Sequence, residues 1–186
     1  MAASNVLKVL FPPAKDLRPL SRMAKIDLAL NLEPDSLLRL ALLAKDALLL
    51  RERLRLTNAE TRRLEEIAAH HAGPTPSLRE RERRAVLYHL GRGAWHDTVR
   101  LNWAKSKDSP NSKKWKDLLA FADQWPIPRF PLSGKDLLSH GLKPGPALGR
   151  ELNRLEDWWI ASDFAADKDT LLRKLDSGNV YKHQAK

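Results

Sequence analysis

Residues 57–103 read TNAETRRLEEIAAHHAGPTPSLRERERRAVLYHLGRGAWHDTVRLNW, and this stretch decides the fold class. Thr57-Asn58-Ala59-Glu60 is a capping box, in which the Thr hydroxyl and the Glu carboxylate each satisfy a free backbone N–H at a helix start. The helix it opens is expected to run to about His71 and to stop at Gly73-Pro74. Ser77-Leu78-Arg79-Glu80 reads as a second box of the same kind, with a helix ending near Leu90, before Gly91 and Gly93. A further helix then carries Trp95, Val99 and Trp103 on one side. Apolar residues recur here at helical spacing, and Gly and Pro fall only between the periodic segments.

The same pattern extends in both directions. Val6 to Leu20 is apolar with a Pro12-Pro13 break and reads like the tail of something before it. A short helix is expected over Ser21 to Leu30. Pro34 suits a first turn, and Asp35 to Leu54, apolar near Leu38, Leu42 and Leu49, is expected to be the central buried helix. Downstream, Ser109 to Ser112 is a loop. Lys113 to Gln124 places Trp115, Leu118, Leu119 and Ala122 at helical spacing. Trp125-Pro126-Ile127-Pro128-Arg129-Phe130-Pro131 cannot be helical and marks a boundary. Beyond it come a short helix around Lys135 to Ser139, a tight turn from Gly141 to Gly145, a long helix from Pro146 to Ala161 and a last helix over Lys168 to Leu175, with a frayed end. In the long helix Leu148, Leu152, Leu155 and Trp159 form one apolar stripe. The expected fold is all-α: an irregular multi-helix bundle over residues 1–125 and a smaller C-terminal helical hairpin over 126–186.

Composition narrows the function classes. The 186 residues carry 33 Lys and Arg against 23 Asp and Glu, a formal net charge of +10. The chain is too apolar, at 42% hydrophobic residues, for disorder, and no apolar run has the length a membrane span needs. No secretory signal is read in it. There is no Cys, so disulfides, thiolate metal sites and Cys nucleophiles are excluded, which suits a cytoplasmic protein. A charge this positive points to a polyanionic partner.

The charge is concentrated. Between Arg79 and Lys116 stand eleven Lys and Arg and four acids, a net +7, whereas Phe130 to the end is nearly balanced. Lys and Arg meet phosphates, and aromatic faces meet unstacked bases, so interleaving this window with Trp95, Trp103 and Trp115 suits RNA. The same three rings also fall at apolar helical positions, where they would be core. The candidate phosphate contacts are Arg79, Arg81, Arg83, Arg84, Arg100, Lys105, Lys107, Lys113, Lys114 and Lys116. Lys135, Lys143 and the backbone at Gly145 are a secondary set, beside the free N–H groups that open the Pro146 helix. In that turn Gly149 is read as letting two helices approach.

The segment Phe130 to Gly149 also carries a resemblance. Gly134-Lys135-Asp136-Leu137-Leu138, followed by Gly141, Pro144-Gly145-Pro146, Gly149 and Leu152, resembles the C-terminal region of bacterial tRNA nucleotidyltransferases, the CCA-adding and poly(A) polymerase family. Glu33-Pro34-Asp35 leading into Leu38 to Leu43, and Leu56 to Glu60, look like the same family. The resemblance implies a tRNA or other RNA partner, and a catalytic head using magnesium and a nucleoside triphosphate for CCA addition or polyadenylation. The head's Gly-Ser motif with its paired Asp-x-Asp is not in this sequence, whose one Asp-x-Asp, Asp167-Lys168-Asp169, has no Gly-Ser before it. The resemblance therefore implies a non-catalytic C-terminal part that grips the sugar-phosphate backbone, with no catalytic residue, cofactor or metal site of its own.

Other readings compete. The Gly141 to Gly149 turn has the logic of a helix-hairpin-helix DNA-binding module. Trp158-Trp159 could serve a structural or dimerising domain, including a homodimer. Asp167-Lys168-Asp169 is read as helix capping. His96-Asp97 with His70-His71 has residue types that could bind a metal, but no converging set is evident. No membrane partner is expected.

Overall fold

The computed structural model describes residues 16–43, 51, 54–69 and 73–183, with side chains through Ser177. The described residues are helical, with no strand, and divide into two compact units, Met1–Pro126 and Ile127–Lys186.

The first unit contains α1 (Arg18–Ala29), α2 (Ser36–Leu43), α3 (Asn58–Ala69), α4 (Glu80–Lys105) and α5 (Lys113–Gln124). Helix α1 begins three residues earlier than expected, because Pro19 fits its first turn. Asp35 opens α2 by accepting hydrogen bonds from the N–H groups of Leu37 (3.0 Å) and Leu38 (3.2 Å). Only Leu38 of that helix is fully buried, so its described part is not the central buried helix. Leu49 and the rest of the expected helix past Leu43 lie largely outside the described residues. Thr57 and Glu60 make the capping box read from the sequence: Glu60 accepts from the Thr57 N–H at 2.8 Å and its own N–H reaches the Thr57 hydroxyl at 3.3 Å. Leu64 packs among Leu37, Leu40, Ala41, Leu43 and Leu56.

The second capping box does not form. The Ser77 hydroxyl is spent on Thr75 at 2.8 Å, and Leu78 N–H closes a turn onto the Thr75 carbonyl. The helix starts later, with the Glu82 carboxylate accepting the Arg79 N–H at 2.7 Å.

Helix α4 breaks at Gly91, whose φ of 70° and ψ of 168° are non-helical. Twenty-six residues in one straight helix would cover roughly 39 Å. Yet Leu78, Asn102, Lys105, Ser106 and Trp115 line a single cavity of about 480 Å³, far too small to span that length. The Asn102 side chain also reaches the Pro74 carbonyl, at 3.4 Å. The chain therefore reverses at Gly91, and the two arms of α4 lie side by side. Gly93 continues the second arm.

Helix α5 runs antiparallel to that second arm, and the tryptophans fix it there. Trp95 donates its indole N–H to the Leu118 carbonyl at 3.0 Å, and the Trp103 and Trp115 rings stack 6.0 Å apart. Arg92 closes the far end of α5 through the carbonyls of Ala122 (2.8 Å) and Trp125 (3.3 Å). Trp95 and Trp103 are fully buried and Trp115 nearly so.

Ion pairs rather than apolar contacts alone set the position of α1 to α3. Asp27, buried in α1, accepts from Arg100 of α4 at 2.6 Å and from Arg39 of α2 at 3.1 Å. Arg63 of α3 holds Asp97 of α4 at 2.7 Å and Asp35 ahead of α2 at 2.6 Å. Hydrogen bonding to Asp97, then to Asp35, raises the Arg63 pKa despite burial.

The second unit contains α6 (Gly134–Ser139), α7 (Pro146–Ala161) and α8 (Lys168–His183). Residues 126–133 contain no helix, as Pro126, Pro128 and Pro131 require. Ser133 and Asp136 make a capping box: the Asp136 carboxylate accepts the Ser133 N–H at 2.8 Å and hydroxyl at 2.6 Å, and it also meets Lys168. Leu155 and Trp159 carry the buried stripe of α7, with Trp159 between Phe130 and Phe164. Gly149 is exposed and faces open space, so it is not a packing glycine; the close approach is at Gly134, where an added Cβ would lie 3.4 Å from Leu148. Asp167 caps α8 through the Thr170 N–H at 2.9 Å, and α8 runs on to His183, past its expected end.

Candidate nucleic-acid interface

The reversal at Gly91 decides where the cations go. The start of α4 carries Arg79 and Arg81. Its end and the following loop carry Lys105 and Lys107. The start of α5 carries Lys113, Lys114 and Lys116. Because the arms of α4 are antiparallel, and α5 is antiparallel to the second arm, all three groups fall at one end of the first unit. Lys105 shares a cavity with Leu78, the residue before Arg79, and with Trp115, which sits between Lys114 and Lys116.

The tryptophans contribute by holding this end in shape. Trp103 donates its indole N–H to the Ser109 carbonyl at 3.0 Å, and Trp115 donates to Asp108 at 2.6 Å. These bonds pin the loop between α4 and α5, and with it Lys107 and the start of α5. The buried rings offer no free face on which a base could stack, so of the two readings of Trp95, Trp103 and Trp115 the core one holds.

The cations differ in how free they are. Arg79, Arg81 and Lys107 are exposed and have no ionic partner among the described residues. Lys113 pairs with Asp117 at 2.8 Å and Lys114 with Asp108 at 2.9 Å, both on the surface. Lys116 reaches Asn111 at 3.4 Å. Exposed pairs of this kind are worth about 0–1 kcal/mol, so a phosphate can displace them. The Asp108 carboxyl is held below its ordinary value by the Trp115 N–H first and by Lys114 next. Lys105 is crowded by its neighbours, and burial lowers its pKa.

Three of the expected residues are committed to the fold. Arg100 has a side chain only 11% exposed and is spent on Asp27; moving it to a phosphate would strand a buried carboxylate, so it leaves the candidate set. Arg83 donates to the carbonyls of Leu78 (2.9 Å) and Pro76 (3.0 Å), stapling the loop before α4. Arg84 pairs with Glu80 along the helix. Lys135, Lys143 and Gly145 are exposed in the second unit. Gly145 precedes α7 with a φ of 141°; Pro146 has no N–H to offer, and the Leu148 N–H is taken by the Gly145 carbonyl at 3.1 Å.

The charge window missed a fourth group. Arg18, Arg22 and Lys25 of α1 line a cleft together with Lys107, Asp108, Ser109 and Pro110. Their i, i+4, i+7 spacing was the available signal, since it puts all three on one helix face.

The His-Asp pair weighed for a metal is otherwise engaged. Asp97 is taken by Arg63, and His96 pairs with Asp123 at 3.0 Å. Among the described residues no group of His, Asp and Glu is placed to hold a metal ion; His70 and His71 lie outside them. No helix among the described residues is long and apolar enough to cross a membrane.

Comparison with known proteins gives partial matches. A segment of this chain is 44% identical over 52 residues to CCA tRNA nucleotidyltransferase 1, mitochondrial, of Danio rerio, covering 28% of this chain and 12% of that protein. The human protein of the same name is 40% identical over 55 residues, covering 30% of this chain and 13% of its own length. An uncharacterized 28 kDa protein from Rhodospirillum rubrum is 34% identical over 82 residues, covering 41% of this chain and 32% of that protein. The chain thus spans about an eighth of the named relatives. No family model matches it. The named relatives are vertebrate mitochondrial proteins, so the similarity is to tRNA nucleotidyltransferases at large and does not single out bacterial ones.

Proposed function

We propose that this chain is a non-catalytic, RNA-binding part of a tRNA nucleotidyltransferase, gripping the sugar-phosphate backbone of tRNA. The observation that carries the proposal is the gathering of Arg79, Arg81, Lys105, Lys107, Lys113, Lys114 and Lys116 at one end of the first unit. Cations on several helices and a pinned loop suit a folded polyanion, and contacts made through phosphates need no base readout. The partial similarity to CCA tRNA nucleotidyltransferases supports tRNA as the substrate class. Nucleotide addition, whether of CCA or of poly(A), belongs in this reading to a head of the parent protein that binds magnesium and the triphosphate, in the cytoplasm.

Titration of the chain with tRNA at several salt concentrations tests the proposal. The expected slope of log K against log[salt] corresponds to several contacts at about 0.7–0.9 each. A flat slope, or no binding at low salt, overturns it. Equal affinity for duplex DNA would point instead to a helix-hairpin-helix reader, and a stable dimer indifferent to nucleic acid to a dimerisation domain.

A further inference from the structure

Helix α1 divides its residues sharply. Met23, Ile26 and Asp27 are buried against the rest of the first unit. On another face Arg18, Arg22 and Lys25 stack along successive turns. Like charges at this spacing repel, at a few tenths of a kcal/mol per pair; Asp16 offsets this at Arg18 and, to a smaller degree, at Arg22, and leaves Lys25 without an anion among the described residues. The stack faces the loop after α4, where Lys107 contributes a fourth cation, and together they line a cleft of about 380 Å³.

The cleft is built. Arg22 is braced by donating to the Ala104 carbonyl at 3.3 Å, and Arg18 by a two-pronged pair with Asp16, at 2.8 and 2.9 Å. Lys25 and Lys107 have no partner among the described residues. The hydroxyl-bearing Ser21 and Ser109 complete the lining with Pro110, and no large apolar side chain enters it. The one acid lining the cleft, Asp108, is already engaged by Trp115 and Lys114. Its walls are also held in place, since Asp27 ties α1 to Arg100 and Trp103 ties the loop to α4.

We infer that Arg18, Arg22, Lys25 and Lys107 form a phosphate-binding cleft in which α1, with three cations from outside the basic stretch Arg79 to Lys116, captures one phosphate group of the bound RNA. Two guanidinium groups and two ammonium groups match the several oxygens and concentrated charge of a phosphate better than those of a single carboxylate. The inference rests on the RNA-binding reading and adds to it a site contributed by α1. The phosphate could be an internal phosphodiester or a terminal 5′-phosphate, which carries more charge.

The test uses the 186-residue chain and one tRNA prepared with a 5′-phosphate or a 5′-hydroxyl, titrated at several KCl concentrations. Lys25→Gln, the cleft variant, removes an α1 cation that makes no structural bond and lies outside the set already proposed, and Lys113→Gln/Lys116→Gln removes two cations outside the cleft. The cleft variant is expected to bind more weakly, with the salt slope reduced by about one. An equal loss on both RNAs assigns an internal phosphodiester, and a loss confined to the phosphorylated RNA assigns the terminal group. If the cleft variant binds like wild type while the Lys113/Lys116 variant weakens, the cleft is overturned and the RNA reading stands. If wild type shows no salt-dependent binding, both fall.

Discussion

Gly91 and Gly145 occupy similar, rarely populated backbone regions, with φ/ψ of 70°/168° and 141°/−176°. Each makes a corner at a helix, one in each unit, and neither has an atom within 4 Å of where a Cβ would sit. Their consequences differ. The corner at Gly91 folds one helix back on itself and brings basic residues far apart in sequence to one end of the first unit. The corner at Gly145 only starts a helix, in a unit whose charges nearly cancel along the sequence. A strained glycine corner is thus not a functional signal in itself. What matters is which side chains the corner brings together.

The largest expected effect tests the scaffold that holds the first corner's arms to their neighbours. Asp27→Ala strands Arg100 in a nearly buried position and frees Arg39. Loss of one partner of a buried pair costs about 3–5 kcal/mol, and urea denaturation is expected to show it. An unchanged midpoint would mean that Asp27 does not anchor α1.

The two corners can then be compared directly. Gly91→Ala and Gly145→Ala each force a side chain into a region that only glycine favours, at about 1–3 kcal/mol. Both should lower thermal stability by a similar amount. Only Gly91→Ala is expected also to weaken tRNA binding, measured below the melting transition. Equal loss from both substitutions would move part of the interface into the second unit.

Charge removal sharpens the same contrast. Lys113→Gln/Lys116→Gln should reduce the tRNA salt slope by up to about two, while Lys135→Gln/Lys143→Gln should leave it unchanged. The reverse result would transfer the interface to the second unit.

The smallest effect concerns acid. Asp136 has its carboxyl held well below the ordinary range by Lys168 first, then by the Ser133 hydroxyl and N–H. Its folded value lies under its unfolded one, so its contribution is complete at neutral pH. That contribution is lost as pH falls below about 4 toward the lower folded value. Amide protection at α6, taken relative to the intrinsic exchange rate at each pH, should fall on acidification, and Asp136→Asn should flatten that dependence.

Local chemistry made most of the helices legible. Lys113–Gln124 and Pro146–Ala161 end where the spacing and the flanking prolines put them, and Thr57 and Glu60 cap each other as their three-residue separation dictates. Where reading failed, a competing partner was responsible, near in sequence in one case and distant in the others. Ser77 could have capped a helix, but its hydroxyl goes to Thr75. Gly149 had the look of a packing glycine, yet Gly134 makes the close contact. Arg100 is as basic as Arg81 in the sequence, and only burial beside Asp27, seventy-three residues away, separates a structural arginine from a surface one.

The sequence by itself determined that the chain is helical, where most helices start and stop, and that positive charge is concentrated around its midpoint. These depend on hydrogen bonds and side-chain spacing within one or two turns. Tertiary structure decided that Gly91 reverses α4, that three tryptophans are core rather than base platforms, and that α1 adds Arg18, Arg22 and Lys25 to the loop holding Lys107. Those outcomes rest on which distant surfaces exclude water together and which buried carboxylates need an arginine, and no local spacing encodes that.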